Sequence, residues 1–265
     1  MAEGFRRKRR TKKPLLGSHQ RCWLWGRHLV LETLKARKWP IYELHLALEL
    51  KEEERDAARK LAQELEIPFL IESNEALNKR CGTKEHQGYL AKMPPYPYDE
   101  LASLESAWPA CPMLLVLDGI QDPYNFGAIL RSAEIFSADA VLIGSRNQSG
   151  ITSQVARSSA GAVNYLKIIR EDDLPGILQG WKDRGVTIIG ASEKANVPLD
   201  RADFMKPLAL AIGNEGIGIS PGVLAACDVI VRIPQSGRVG SLNAAVSAGI
   251  LLYEMKRQRS LLSGR

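Results

Sequence analysis

The sequence predicts an α/β fold: a C-terminal, mostly parallel sheet preceded by a smaller α/β unit. Three observations predict it. Six apolar runs, MLLVLDGI, AVLIG, NYLKII, VTIIGAS, LALAIGN and VIVRIP, follow one another between residues 113 and 234. Runs this continuous read as strands buried on both faces, the habit of parallel sheets. Helix-like segments separate most of them, as crossover connections require. Ahead of them, Pro94, Pro95, Pro97, Pro109 and Pro112 place five of the 14 prolines within 19 residues. Proline fixes φ and removes a donor. Residues 94–112 are therefore expected to form a semi-rigid linker between an N-terminal unit, 21–93, and a C-terminal unit, 113–265.

The N-terminal unit alternates on a smaller scale. WGRHLVLETLKA has helical spacing and ELHLALEL reads as a strand. EEERDAARKLAQELE combines helical spacing with strong helix formers. PFLIES predicts a strand, NEALNKRCG a short helix and GYLAKM a last strand, giving a small α/β sandwich with no catalytic cluster.

Charge is informative once located. Residues 1–13, MAEGFRRKRRTKK, hold seven Lys/Arg and one Glu. Removing these from the 36 Lys/Arg and 30 Asp/Glu of the chain leaves 29 of each, so the whole net charge of +6 sits in this tail. Clustered like charge resists folding, and residues 1–20 are expected to be a disordered arm. Arg7, Arg9 and Arg10 suit the phosphates of a nucleic acid; a solubilising or targeting tail is the alternative.

No apolar run is long enough to span a bilayer, and no signal-peptide core follows the basic start, so a cytoplasmic protein without membrane contact is expected. Cys22, Cys81, Cys111 and Cys227 are scattered without a CxxC pair, and the four histidines form no ligand cluster. Reduced thiols and no metal site are expected.

Parallel sheets bind ligands beyond the carboxyl ends of their strands. Three strand exits stand out. After MLLVLDGI, a turn through Asp122, Pro123 and Asn125 enters a helix carrying Gly127 and Arg131. Ile129, Ala133 and Phe136 share one face of that helix and leave Arg131 to point elsewhere. Capping by Asn125 and a solvated Arg131 would explain the same residues. After LALAIGN, the loop holds Gly213, Asn214, Glu215, Gly216 and Gly218. Its glycines permit close backbone approach to a flat ring, or simply a flexible turn with Glu215 in solvent. After VIVRIP, QSGRVG leads to Ser241, Leu242 and Asn243 at the start of a helix. Ser241 is expected to cap that helix, with Leu242, Val246, Ile250 and Tyr253 as an apolar stripe facing the core.

GxGxxG does not follow the first strand of the C-terminal unit, GxxxxGK[ST] is absent, and no nucleophile elbow is expected, although GISPG at 218–222 has the GxSxG spacing. These absences disfavour a dehydrogenase, a P-loop NTPase and a common hydrolase.

Taken together and in order, DPYNFGAILRSA, IGNEGIGI and IPQSGRVGSLNAAVSAGI resemble the three motifs of the SpoU family of RNA ribose 2′-O-methyltransferases, in the SPOUT class. The N-terminal unit, ending in HQGYLAKM, resembles the RNA-binding domain that precedes the catalytic domain in the ribosomal RNA members. The resemblance implies a deep trefoil knot in the C-terminal sheet, a homodimer with the site near the subunit interface, and S-adenosylmethionine as cofactor. It implies that Gly213, Gly216, Ile233 and Leu242 contact that cofactor, chiefly through backbone. Asn125, Arg131, Glu215, Ser241 and Asn243 match the catalytic positions.

Guanidinium groups hold their proton in proteins, so Arg131 is read as a clamp on the RNA phosphate and the developing alkoxide. Glu215 would orient Arg131 or the target nucleotide; Asn125, Ser241 and Asn243 would hold loops and ribose. The expected substrate is 23S rRNA, with guanosine favoured and uridine open. A tRNA ribose methyltransferase of the same family and a non-catalytic RNA-binding assembly factor are the competing readings.

Overall fold

The computed structural model describes residues 23–238 and 240–262, so the basic arm with Arg7, Arg9 and Arg10 lies outside the described residues. The N-terminal unit holds β1 (Trp23–Trp25), α1 (Arg27–Ala36), β2 (Glu43–Ala47), α2 (Glu52–Glu64), β3 (Phe69–Glu72), α3 (Asn74–Cys81) and β4 (Tyr89–Lys92). Its sheet has the order β1-β4-β2-β3, with β2 and β3 parallel and the other pairs antiparallel. Ser73 caps α3 by accepting from the Ala76 N–H at 3.3 Å, and Gly82 ends it in the left-handed conformation.

Buried His86 precedes β4. Its Nδ1 accepts the Gly88 N–H at 3.0 Å, and its Nε2 lies 3.0 Å from Asn78 Oδ1, so the ring is neutral with the proton on Nε2. Burial pushes its pKa down.

α4 (Leu101–Glu105) leads into the second unit: β5 (Met113–Asp118), α5 (Pro123–Ile135), β6 (Ala140–Gly144), α6 (Ser153–Ser158), β7 (Ile168–Glu171), α7 (Leu174–Asp183), β8 (Thr187–Ala191), β9 (Val197–Pro198), β10 (Leu208–Gly213), α8 (Pro221–Ala226), β11 (Val229–Arg232) and α9 (Ala244–Leu262). The seven strands pair in the order β7-β6-β5-β10-β8-β11-β9, all parallel.

The continuous apolar runs have the expected cause. Leu115 and Leu117 join the core shared with α5, α6 and α9, while Leu114 and Val116 join a second core with Leu178 and Trp181 of α7. Both faces of β5 are covered, so alternation disappears from its sequence.

Three local expectations change. NYLKII is not one strand: Ala162–Asn164 form a 3₁₀ turn, and β7 starts only at Ile168. Buried Asn164 donates to Thr33 Oγ1 at 3.0 Å, a tertiary tie that the local pattern does not encode. WGRHLVLETLKA is helical only from Arg27: Trp25 ends β1, which is three residues long and buried throughout, with no alternation to read. The proline-rich segment 94–112 packs instead of spanning. Buried Tyr96 donates to the Val163 carbonyl at 2.6 Å and meets Trp39 edge-to-face, and Asp99 accepts the Ile168 N–H at 2.8 Å.

The two units are thereby joined. Lys38 lies 2.7 Å from Asp99, Tyr165 donates to Glu32 at 2.6 Å, and Arg157 lies 2.8 Å from Glu85.

Candidate active site

Loops from three strand ends converge. β5 and β10 are neighbours in the sheet; β11 lies two places from β10, with β8 between. α9 follows the β11 loop and returns to pack on α5 and β10.

At the first exit, Asp122 caps α5, its Oδ1 accepting the N–H groups of Tyr124 and Asn125 at 2.8 and 2.9 Å, with Pro123 at the first helical position. Capping is therefore done by Asp122 and not by Asn125, which leaves the Asn125 side chain free to act elsewhere. Gly127 lets α5 lie close against α6: a Cβ at this position would sit 1.8 Å from Ser158 Oγ and 2.7 Å from the Val155 carbonyl. Ser158 in turn donates to the Pro123 carbonyl at 3.0 Å. Ile129 and Ala133 face the core as expected, and Arg131 is exposed, bonded to no described residue.

At the second exit, the chain folds back on itself. The N–H groups of Asn214 and Gly218 donate to each other's carbonyl oxygens at 3.0 and 2.9 Å. Asn214 organises the turn: its Oδ1 accepts from Gly216 and Ile217 at 2.8 and 3.1 Å, and its Nδ2 donates to the Gly119 carbonyl at 2.8 Å. Asn214 did not stand out among the candidate residues; the signal was an Asn opening a glycine-rich turn. The bare Gly213 is demanded by this turn, since a Cβ would sit 2.2 Å from the backbone of Gly218 and Ile219. The Gly216 N–H is already engaged by Asn214, which leaves its carbonyl for other contacts.

At the third exit, α9 begins at Ala244, and its cap is Asn243. Asn243 Oδ1 accepts from Ala245 at 2.9 Å and Val246 at 3.3 Å. The expected cap, Ser241, lies two residues too early; it is exposed and bonded to no described residue.

The cap fixes the Asn243 amide, and Nδ2 donates to Asn125 Oδ1 at 2.9 Å. Asn125 Nδ2 then donates to Glu215 Oε1 at 2.9 Å. A directed chain of two hydrogen bonds thus joins all three loops and ends on a carboxylate. Glu215 meets Asn125 here and forms no ion pair with Arg131 among the described residues. From Ile233 to Arg238 and from Gly240 to Leu242, no backbone group hydrogen-bonds to a described residue. That open run of donors and acceptors, beside the exposed Gly216, has the chemistry to read a purine edge.

The stripe Leu242, Val246, Ile250 and Tyr253 does not face the core. These residues are 39%, 50%, 36% and 55% exposed, while Ala248, Leu251, Leu252 and Met255 turn inward. α9 is apolar on two sides, so periodicity alone did not select the buried one.

Among the described residues, Cys81, Cys111 and Cys227 form no disulfide, no group of three or more His, Cys, Asp or Glu is placed to hold a metal, and no helix is long and apolar enough to cross a membrane.

Comparison with known proteins identifies the family. Residues 112–253 match the SpoU rRNA Methylase family, and residues 23–99 match the family described as RNA 2′-O ribose methyltransferase substrate binding. A putative TrmH family tRNA/rRNA methyltransferase of Bacillus subtilis (strain 168) is 34% identical over 246 residues, covering 92% of this chain and 98% of its own. An uncharacterized tRNA/rRNA methyltransferase of Mycolicibacterium paratuberculosis is 40% identical over 239 residues, covering 88% of this chain and 76% of its own. Among solved structures, an RNA 2′-O ribose methyltransferase superposes with a TM-score of 0.70 at 27% identity, covering 92% of this chain and 90% of that one. The fold is also that of the SpoU methyltransferase AviRb from Streptomyces viridochromogenes in complex with AdoMet, with a TM-score of 0.77 at 24% identity over 90% of both chains. With motifs, sheet and both family matches in agreement, the chain belongs to the SpoU rRNA methylase family.

Proposed function

We propose that this protein transfers a methyl group from S-adenosylmethionine to a ribose 2′-hydroxyl of RNA in the cytoplasm, with a guanosine of 23S rRNA as the target. The observation that carries the reading is the Asn243–Asn125–Glu215 chain, which draws three separate strand exits into one site.

Gly213, Gly216, Ile233 and Leu242 line the loops that would hold the cofactor, and their backbone suits an adenine edge. When bound, the cofactor supplies a methyl carbon already activated on a sulfonium. The protein must then hold the hydroxyl in line and favour its deprotonation. Arg131, exposed and unbonded to described residues, serves as a clamp on an RNA phosphate and on the negative charge developing at the ribose oxygen. Glu215, oriented by Asn125, accepts a hydrogen bond from the target nucleotide. Ser241 stands beside this chain and contributes its hydroxyl to the ribose.

In this reading residues 21–93 present the RNA, residues 113–265 perform the transfer, and Arg7, Arg9 and Arg10 add phosphate affinity without sequence choice. The trefoil knot comes with the same reading. The exposed α9 stripe supports a homodimer, since a symmetric partner would cover it.

Labelled S-adenosylmethionine offered with unmodified 23S rRNA, 16S rRNA and tRNA tests the proposal, with nuclease digestion and mass spectrometry as readout. A 2′-O-methylguanosine in 23S rRNA is expected. Label in tRNA alone would replace the substrate, and no label in any pool or in ribosomal precursor particles would leave an RNA-binding assembly factor as the better reading.

A further inference from the structure

A second cleft, of about 450 Å³, opens where the N-terminal unit meets α5 and α6, lined by Trp25, Glu85, Tyr124, Gln154 and Arg157. Its volume falls within the range of small-ligand sites. Tyr124 is the immediate neighbour of Asn125, yet the residue is 62% exposed. The Tyr124 hydroxyl and the Gln154 side-chain amide hydrogen-bond to no described residue. Arg157 is held from both sides: its guanidinium lies 5.1 Å from the Trp25 ring, and Glu85 holds it at 2.8 Å.

The wall is firm. Ser158 ties the Pro123 carbonyl to α6 at 3.0 Å, so Tyr124 stands on a braced helix start. Seven residues on, Arg131 shares the Tyr124 face of α5, about 10 Å further along the axis.

A free aromatic face, a braced cation and an unused amide are the parts with which proteins hold an unpaired base. We propose that this cleft receives the base of the single-stranded nucleotide next to the modified one. The base stacks on Tyr124, its edge meets the Gln154 amide, and its phosphate lies toward Arg157. The strand then runs along α5 to Arg131. This inference rests on the RNA reading above and names where the substrate's neighbouring nucleotide sits.

The test is anisotropy titration of a fluorescein-labelled ten-nucleotide oligoadenylate, with a twelve-base-pair RNA duplex for comparison. Tyr124→Ala is expected to weaken oligoadenylate binding roughly tenfold or more, the scale of one lost base–aromatic stack, and Tyr124→Phe to stay within about threefold of wild type. Duplex binding should move by less than about twofold in both variants, since it depends on phosphate contacts. Three results would overturn the proposal: an unchanged Tyr124→Ala, an equal loss in Tyr124→Phe, or no oligoadenylate binding by the wild-type protein. Photocrosslinking of wild-type protein to a 4-thiouridine oligonucleotide tests the same point without a variant. A crosslink at Tyr124 or Gln154 supports the cleft, and crosslinks confined to other residues overturn it. The two readings fail separately. Tyr124-dependent binding without methyl transfer to any RNA sinks the methyltransferase and keeps the cleft; methyl transfer with binding indifferent to Tyr124 does the reverse.

Discussion

Asn243 donates its side-chain amide to Asn125 at 2.9 Å across 118 residues of sequence. The direction of that bond is set by the helix behind it. Asn243 Oδ1 is occupied by the first turn of α9, so only Nδ2 remains to face Asn125. Asn125 must then present its own Nδ2 to Glu215. Each amide has one workable orientation.

That orientation separates stability from activity. Asn243→Asp keeps the capping oxygen and removes the donor. Thermal stability should stay within about 0.5 kcal/mol of wild type, because Asp and Asn cap about equally well. Turnover should fall roughly tenfold or more, the scale of one lost charge-assisted hydrogen bond passed on to Glu215. Single-turnover methyl transfer beside a melting curve decides it, and equal activity in the variant would detach the amide chain from catalysis.

Arg131→Ala should leave folding unchanged within about 0.5 kcal/mol, since the side chain is exposed and unbonded to described residues. Methyl transfer should drop roughly a hundredfold or more if the guanidinium meets the developing charge. Arg131→Lys should recover only part of this, because an ammonium lacks the planar fork. Full activity in Arg131→Ala would remove the residue from the mechanism.

Gly213→Ala drives a methyl group to within 2.2 Å of the Gly218 and Ile219 backbone. The turn must open. A loss of about 1–3 kcal/mol in stability is expected, the usual cost of overpacking, together with weakened S-adenosylmethionine binding by calorimetry. For stability alone, Gly216→Ala is the comparison, since its Cβ would meet only Asn214 Oδ1, at 3.4 Å.

His86 makes stability depend on pH. Burial holds its folded pKa below that of a free imidazole, so the fold favours the neutral ring. Its contribution is complete above the unfolded pKa of about 6.5 and is lost as the pH falls through the lower folded value. Protonation of Nδ1 would also break the bond from the Gly88 N–H. The melting temperature should fall as the pH is lowered from roughly 7.5 to 5.5. His86→Gln should flatten that slope, and an unchanged slope would assign it to other groups.

The α9 stripe predicts assembly. Val246→Glu combined with Ile250→Glu places charge on side chains that are 50% and 36% exposed in the single chain. The monomer should still fold, and sedimentation should show wild type as a dimer and the variant as a monomer. A monomeric wild-type protein would leave the stripe without a symmetric partner.

The order of elements was largely legible because β5, β6, β8 and β10 are apolar on both faces and helices separate most of the strands. What stayed hidden was fixed by distant partners. The 3₁₀ turn at Ala162–Asn164 depends on Thr33, and the packing of Tyr96 depends on Trp39 and Val163. At the site, the motifs pointed to Asn125, Glu215 and Asn243, which the structure joins. The sequence did not show that Asp122 would take over capping and free Asn125, nor that Asn243 would cap α9 in place of Ser241. Both outcomes turn on where a helix starts, by one or two residues, and periodicity is weakest there.

The Asn243–Asn125 bond also orders events during synthesis. Residues 125 and 215 can leave the ribosome and fold into their strands and turns while residue 243 is still inside it. Until α9 emerges and docks on α5, Asn125 has no donor to set its amide and the loops have no common anchor. A nascent chain halted before α9 would therefore carry most of the sheet and no assembled site, so competence waits on the docking of α9.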